Sequence, residues 1–140
     1  MKRLLTAFAF AVVSLAVPAL PALATSAAPA ATPAPADKQF GRARLTIVQI
    51  CTEIGELSAQ AGARRADTAA VERDAERLEN ALHDWQAHYP QDPWIPKNAY
   101  ALAEIYGKLN RADAHAHHER ALDWLVVTYP SSDYAELPRD

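Results

Sequence analysis

Apolar residues in this chain fall into four stretches of helical period, separated by short polar breaks. Over 42–61, Ile47, Ile50, Cys51, Ile54 and Leu57 recur at spacings of three and four, with Ala61 beyond, so the spacing predicts one buried helical face. Gly62 stands where a helix end is expected. A second stretch opens at Asp67, a residue suited to an N-cap. Its Val71, Ala75, Leu78, Leu82, Trp85 and Tyr89 alternate steps of four and three, a stripe for a partner helix. The other side carries Glu72, Arg73, Asp74, Glu76, Arg77 and Glu79 and reads as a solvated face without a site. Gln91-Asp92-Pro93 predicts a turn, with Asp92 as N-cap and Pro93 in the first helical position. The third helix, to about Leu109, carries Ala99, Leu102, Ala103, Ile105 and Tyr106. A fourth spans about 112–128 and buries Ala114, Ala121, Leu122, Leu125, Val126 and Tyr129. Ser131-Ser132-Asp133 starts one more helical turn before Pro138. Trp85, Trp94 and Trp124 are expected as core anchors.

One stretch occurs twice. Glu79, Ala81, Leu82, Tyr89 and Pro90 match Glu119, Ala121, Leu122, Tyr129 and Pro130 at an offset of forty, and Trp94 lines up with Tyr134. Each copy is the back half of an amphipathic helix stopped by Tyr-Pro, because proline cannot continue a helix and disfavours helical geometry before it. A fixed period in this range indicates stacked helical repeats. The fold class expected is all-α: antiparallel helix pairs stacked as a short repeat, or a compact four-helix bundle. A repeat fragment that dimerises is the alternative.

The segment from Tyr89 to Tyr134 resembles tetratricopeptide-repeat proteins of the bacterial envelope, among them the repeats of outer-membrane assembly lipoproteins and of the Tol-Pal accessory protein. Tyr89-Pro90, Ala99, Leu102-Ala103, Tyr106, Ala121-Leu122 and the run Tyr129 to Ala135 carry the likeness. It covers about a third of the chain, and the family's usual period is about 34 residues rather than forty. The resemblance implies that the third helix lines a groove, with Lys97, Tyr100, Glu104 and Lys108 facing a bound peptide. The partner expected is an envelope protein or peptide.

Outside the helices, the first 24 residues have a secretory leader's layout. Lys2 and Arg3 precede an apolar run from Leu4 to Val17, and Ala22-Leu23-Ala24 supplies a small-x-small cleavage pattern. The run is short for a membrane span. Export to the periplasm, or secretion, is expected, without stable membrane insertion after cleavage. Residues 25–39 are mostly Ala, Pro, Ser and Thr and read as an extended linker, leaving 40–137 as the folded domain.

A net charge of -3 gives no basic field for nucleic acid. The single cysteine, Cys51, cannot form an internal disulfide and reads as a packed side chain, a bridge to a second chain being the alternative. Nucleophile-elbow, phosphate-loop and dinucleotide motifs are absent, and only four glycines are available to build such loops, so neither enzyme nor cofactor is expected. The run from Asp113 to Glu119 holds one alternative. His115, His118 and Glu119 sit at three- and four-residue spacings that place metal ligands on one helical face. Solvent-facing histidines are the plainer reading, and His-Glu-x-x-His is absent.

Overall fold

The computed structural model describes residues 32–137, so the predicted leader and most of the predicted linker lie outside the described residues. A two-stranded antiparallel hairpin, β1 (Gln39–Phe40) and β2 (Leu45–Thr46), precedes four helices. These are α1 (Ile47–Ala61), α2 (Thr68–His88), α3 (Trp94–Lys108) and α4 (Ala112–Thr128), and a 3-10 turn (Asp133–Ala135) comes after them. The fold is all-α apart from this hairpin. None of the described helices is long and apolar enough to cross a membrane.

The first helix starts at Ile47, five residues later than the spacing predicts, because 42–46 are taken by the hairpin. Gly41 adopts φ 67°, in the left-handed region, and Arg44 has φ 53°. Gly41 also lies against α2, where a Cβ would come within 2.7 Å of the Ala81 Cα. Its N–H donates to Asp84 Oδ2 at 2.7 Å, and the Arg42 N–H donates to Asn80 Oδ1 at 3.0 Å, fastening the hairpin to α2. Thr46 then opens α1 with a reciprocal capping box: Gln49 Oε1 accepts from the Thr46 N–H at 2.9 Å, and Thr46 Oγ1 accepts from the Gln49 N–H at 3.3 Å. Asp67 caps α2 as expected, accepting from the Ala70 N–H at 3.1 Å.

Cross-helix contacts fix the arrangement. On α1 and α3, Cys51 meets Asn98 and Ser58 meets Lys108, so the two run in the same direction. On α2 and α4, Glu72 meets Arg111, Glu79 meets His117 and His83 meets Trp124, so these also run in parallel. Two antiparallel hairpins, α1–α2 and α3–α4, therefore stack in the same sense. Helix α3 is central: it packs on α1, α2 and α4, while α1 and α4 barely meet.

The predicted apolar faces are largely those buried. Val71, Ala75, Leu78, Leu82 and Trp85 of α2, Leu102, Ile105 and Tyr106 of α3 and Ile50, Ile54 and Leu57 of α1 form one buried cluster. Removing water from such side chains contributes about 1.5–3 kcal/mol each. Trp94 is a correction. It is 53 % exposed rather than a core anchor, because it opens α3 one turn before the exposed Lys97 on the outward side, with the Lys97 Nζ 5.4 Å from its ring. Trp85 is fully buried, and Trp124 is half-buried.

Candidate functional site

The two Tyr-Pro copies fold alike. Each tyrosine ends its helix as C-cap, with φ -134° and ψ 63° at Tyr89 and φ -130° and ψ 56° at Tyr129. Tyr89 N–H donates to the Trp85 carbonyl and Tyr129 N–H to the Leu125 carbonyl, both at 2.8 Å. The chain then turns: Asp92 N–H donates to the Tyr89 carbonyl and Ser132 N–H to the Tyr129 carbonyl, both at 3.0 Å. The side chains of the same two residues cap the next element. Asp92 Oδ1 accepts from Trp94 N–H at 3.1 Å, and Ser132 Oγ accepts from Tyr134 N–H at 3.3 Å. At the offset of forty Leu125 takes the buried place of Trp85.

Asp92 is nearly fully buried. Besides capping α3, its Oδ2 accepts from the Trp85 indole N–H at 3.1 Å and from the Ala34 N–H at 2.9 Å. A buried carboxylate is tolerable only with such partners. Between the two turns lies an open cleft of about 550 Å³ lined by Pro93, Pro96, Tyr129, Pro130 and Tyr134 among others. The Tyr129 hydroxyl is buried beside it without a hydrogen-bond partner among the described residues, and burial together with the Asp92 charge pushes that phenol up to about 12.

Among the residues predicted to face a partner, Lys97, Glu104 and Lys108 fall on the outward strip of α3, at steps of seven and four. Lys97 and Lys108 are exposed, and Glu104 is half-buried. Lys108 Nζ reaches Ser58 Oγ at 3.1 Å, so the strip borders α1. Tyr100 stands to one side: it is half-buried, packs on Ala103, Ala121 and Leu122, and meets the Tyr134 ring at 6.0 Å. Cys51 borders the same strip, half-buried, its Sγ accepting from Asn98 Nδ2 at 3.4 Å. Burial pushes its thiol up, partly offset by that hydrogen bond.

The three predicted metal ligands do not form a set. His118 is a core residue, 6 % exposed, whose Nδ1 sits 2.8 Å from the Ala103 carbonyl and whose ring lies against Gly107. His115 stacks on it at 6.3 Å and is exposed, as is Glu119. Among the described residues no three His, Cys, Asp or Glu side chains converge to hold a metal ion.

The charged face of α2, predicted to be solvated, is the other correction. Glu72 is 8 % exposed, and the Glu79 side chain 21 %, because both turn into a seam against α4. Arg111 Nε meets Glu72 Oε2 at 2.9 Å. Glu79 Oε2 accepts from the Tyr106 hydroxyl at 2.9 Å and lies 3.3 Å from His117 Nδ1. Burial acts to raise the Glu79 carboxyl. Hydrogen bonds from His83 and Tyr106 and the charge of His117 outweigh it and hold the group below its ordinary value. Burial, and then the Glu79 charge, hold the Tyr106 phenol above its ordinary range.

The fold and these surfaces define a small helical protein with two stacked hairpins. No protein-family model, curated protein or solved structure matches the chain.

Proposed function

We propose that the chain is an exported, non-enzymatic helical-repeat module that binds a protein or peptide of the cell envelope. The observation that carries this reading is the near-identity of the two Tyr-Pro turns, joined to hairpins stacked in the same sense. Repetition of one unit by translation leaves the first helix of each pair on a common open face, whereas a closed bundle pairs its first and last helices. Here α1 and α4 barely meet, and α3 keeps a free strip beside α1. Lys97 and Lys108 bound that strip about 16 Å apart along the helix axis. Two cations, the carboxylate of Glu104 between them and the Tyr100 ring at the edge form a surface able to hold an extended or helical peptide with its own acidic groups. The assignment to the envelope rests on the secretory layout of residues 1–24.

The test is capture of envelope proteins by the full chain and by a Lys97→Glu/Lys108→Glu variant. The captured protein is expected to be lost from that variant and retained by Arg73→Glu, a control on the exposed face of α2. Equal capture by all three proteins would remove the α3 strip as the binding surface.

A further inference from the structure

We propose that the cleft between the two Tyr-Pro turns is a second docking site, which takes an extended, proline-containing peptide of a partner protein. The cleft shares no lining residue with the α3 strip and suits a peptide of different chemistry.

The first turn already holds a segment of this kind. Residues 32–35, Thr-Pro-Ala-Pro, lie outside any helix or strand. Pro33 and Pro35 each bias the residue before them toward extended geometry. Between them, Ala34 packs against the buried cluster and donates its N–H to Asp92 Oδ2 at 2.9 Å. The residue that caps the element after the first Tyr-Pro turn therefore also grips a proline-flanked stretch of chain. The second turn repeats the backbone path of the first and the capping role of its last residue. There the adjoining space is open. The cleft of about 550 Å³ is lined by Tyr129, Pro130, Ser132 and Tyr134 of the second turn and by Pro93 and Pro96 after the first. Ser132 Oγ accepts from the Tyr134 N–H at 3.3 Å. A hydroxyl has an O–H donor and a second lone pair besides, so it can bond one more backbone group, as Asp92 bonds Ala34.

The lining selects the occupant. Two tyrosine and three proline rings offer apolar surface on which proline rings and alanine methyls pack. A proline-rich segment keeps polyproline geometry without internal hydrogen bonds, so its carbonyls are free to bond and little conformational freedom is lost on docking. The volume falls in the range of clefts that take ligands, about 300–1,000 Å³. Among the described residues lining the cleft, Asp133 carries the one formal charge. A neutral or basic peptide fits beside it and an acidic one is repelled, the reverse of what Lys97 and Lys108 select on the α3 strip.

A titration of the full chain with a short synthetic peptide of alternating alanine and proline, capped at both ends, tests this by amide NMR shifts. Saturable shifts are expected at Gln91, at Trp94 and over residues 128–134, and a matching alanine-glycine peptide should bind several-fold more weakly. Tyr134→Ala removes a ring from the wall and should weaken binding several-fold. Where that change disturbs the end of the fold, Ser131→Trp, at an exposed lining position, fills the cleft and should weaken binding as well. Lys97→Glu/Lys108→Glu should bind the peptide unchanged, which separates this site from the α3 strip. The absence of saturable shifts, shifts confined to the strip, equal binding of the alanine-glycine peptide, or unchanged affinity in both cleft variants overturns the proposal.

Discussion

The turn at Tyr89-Pro90 and the turn at Tyr129-Pro130 share backbone geometry but differ in what covers them. The first is enclosed. Phe40 stacks on Trp85 at 5.9 Å and meets Tyr89 edge-on at 6.0 Å, and Asp92 gathers N–H groups from Trp94, Trp85 and Ala34. The second has Leu125 where the first has Trp85 and Ser132 where it has Asp92, and the Tyr129 hydroxyl has no partner among the described residues. A 3-10 turn comes after it among the described residues, with Tyr134 against Tyr100. The local conformation is set by Tyr-Pro and the capping residue. The energy invested in each turn is set by its place in the stack, the first lying between the β hairpin and α3.

The largest difference is expected at the capping residues. Asp92→Ala leaves the buried Trp85 indole N–H and two part-buried backbone N–H groups without their acceptor and should cost about 2–4 kcal/mol in urea unfolding. Ser132→Ala removes one cap and should cost about 1 kcal/mol. Equal costs would mean that the two turns do not differ as described. A smaller contrast is expected at the hydroxyls. Tyr106→Phe breaks the hydrogen bond to Glu79 and should cost about 1–2 kcal/mol. Tyr129→Phe deletes a buried hydroxyl that has no partner among the described residues and should leave stability unchanged or slightly raised. A marked loss in Tyr129→Phe would show that this hydroxyl has a partner in solution.

Four helices are legible in the sequence because their apolar residues keep steps of three and four, and the duplication is legible because Tyr-Pro punctuates each copy. The β hairpin is not, since two-residue strands have no period, and the need for Gly41 arises from contact with Ala81, forty residues away. Residue type alone misassigns Trp94, though its place one turn before Lys97 puts it on the outward side. His118 has the spacing of a surface ligand, yet it lies in the apolar stripe of Ala114, Ala121, Leu122 and Leu125, four residues after the first of these. The seam is the hardest part to read. Glu72, Glu76, Glu79 and His83 recur at steps of four, three and four, a polar stripe beside the apolar one. Its meaning emerges only once α2 and α4 are known to run in parallel. Charge does not always mean solvent, because long side chains bridge helices whose backbones stand apart. Of the predicted groove, Lys97, Glu104 and Lys108 fall on one strip while Tyr100 turns toward α4, a distinction that depends on how α4 covers α3.

Native-state amide hydrogen exchange tests most directly the claim of two stacked hairpins with α3 at the centre. Helix α3 is packed on three sides and should open only with global unfolding, while α4, resting chiefly on α3, should exchange through smaller openings. Protection highest in α3 and clearly lower along α4 is the result predicted. Equal protection in α1, α3 and α4 would indicate a closed four-helix bundle and contradict the account.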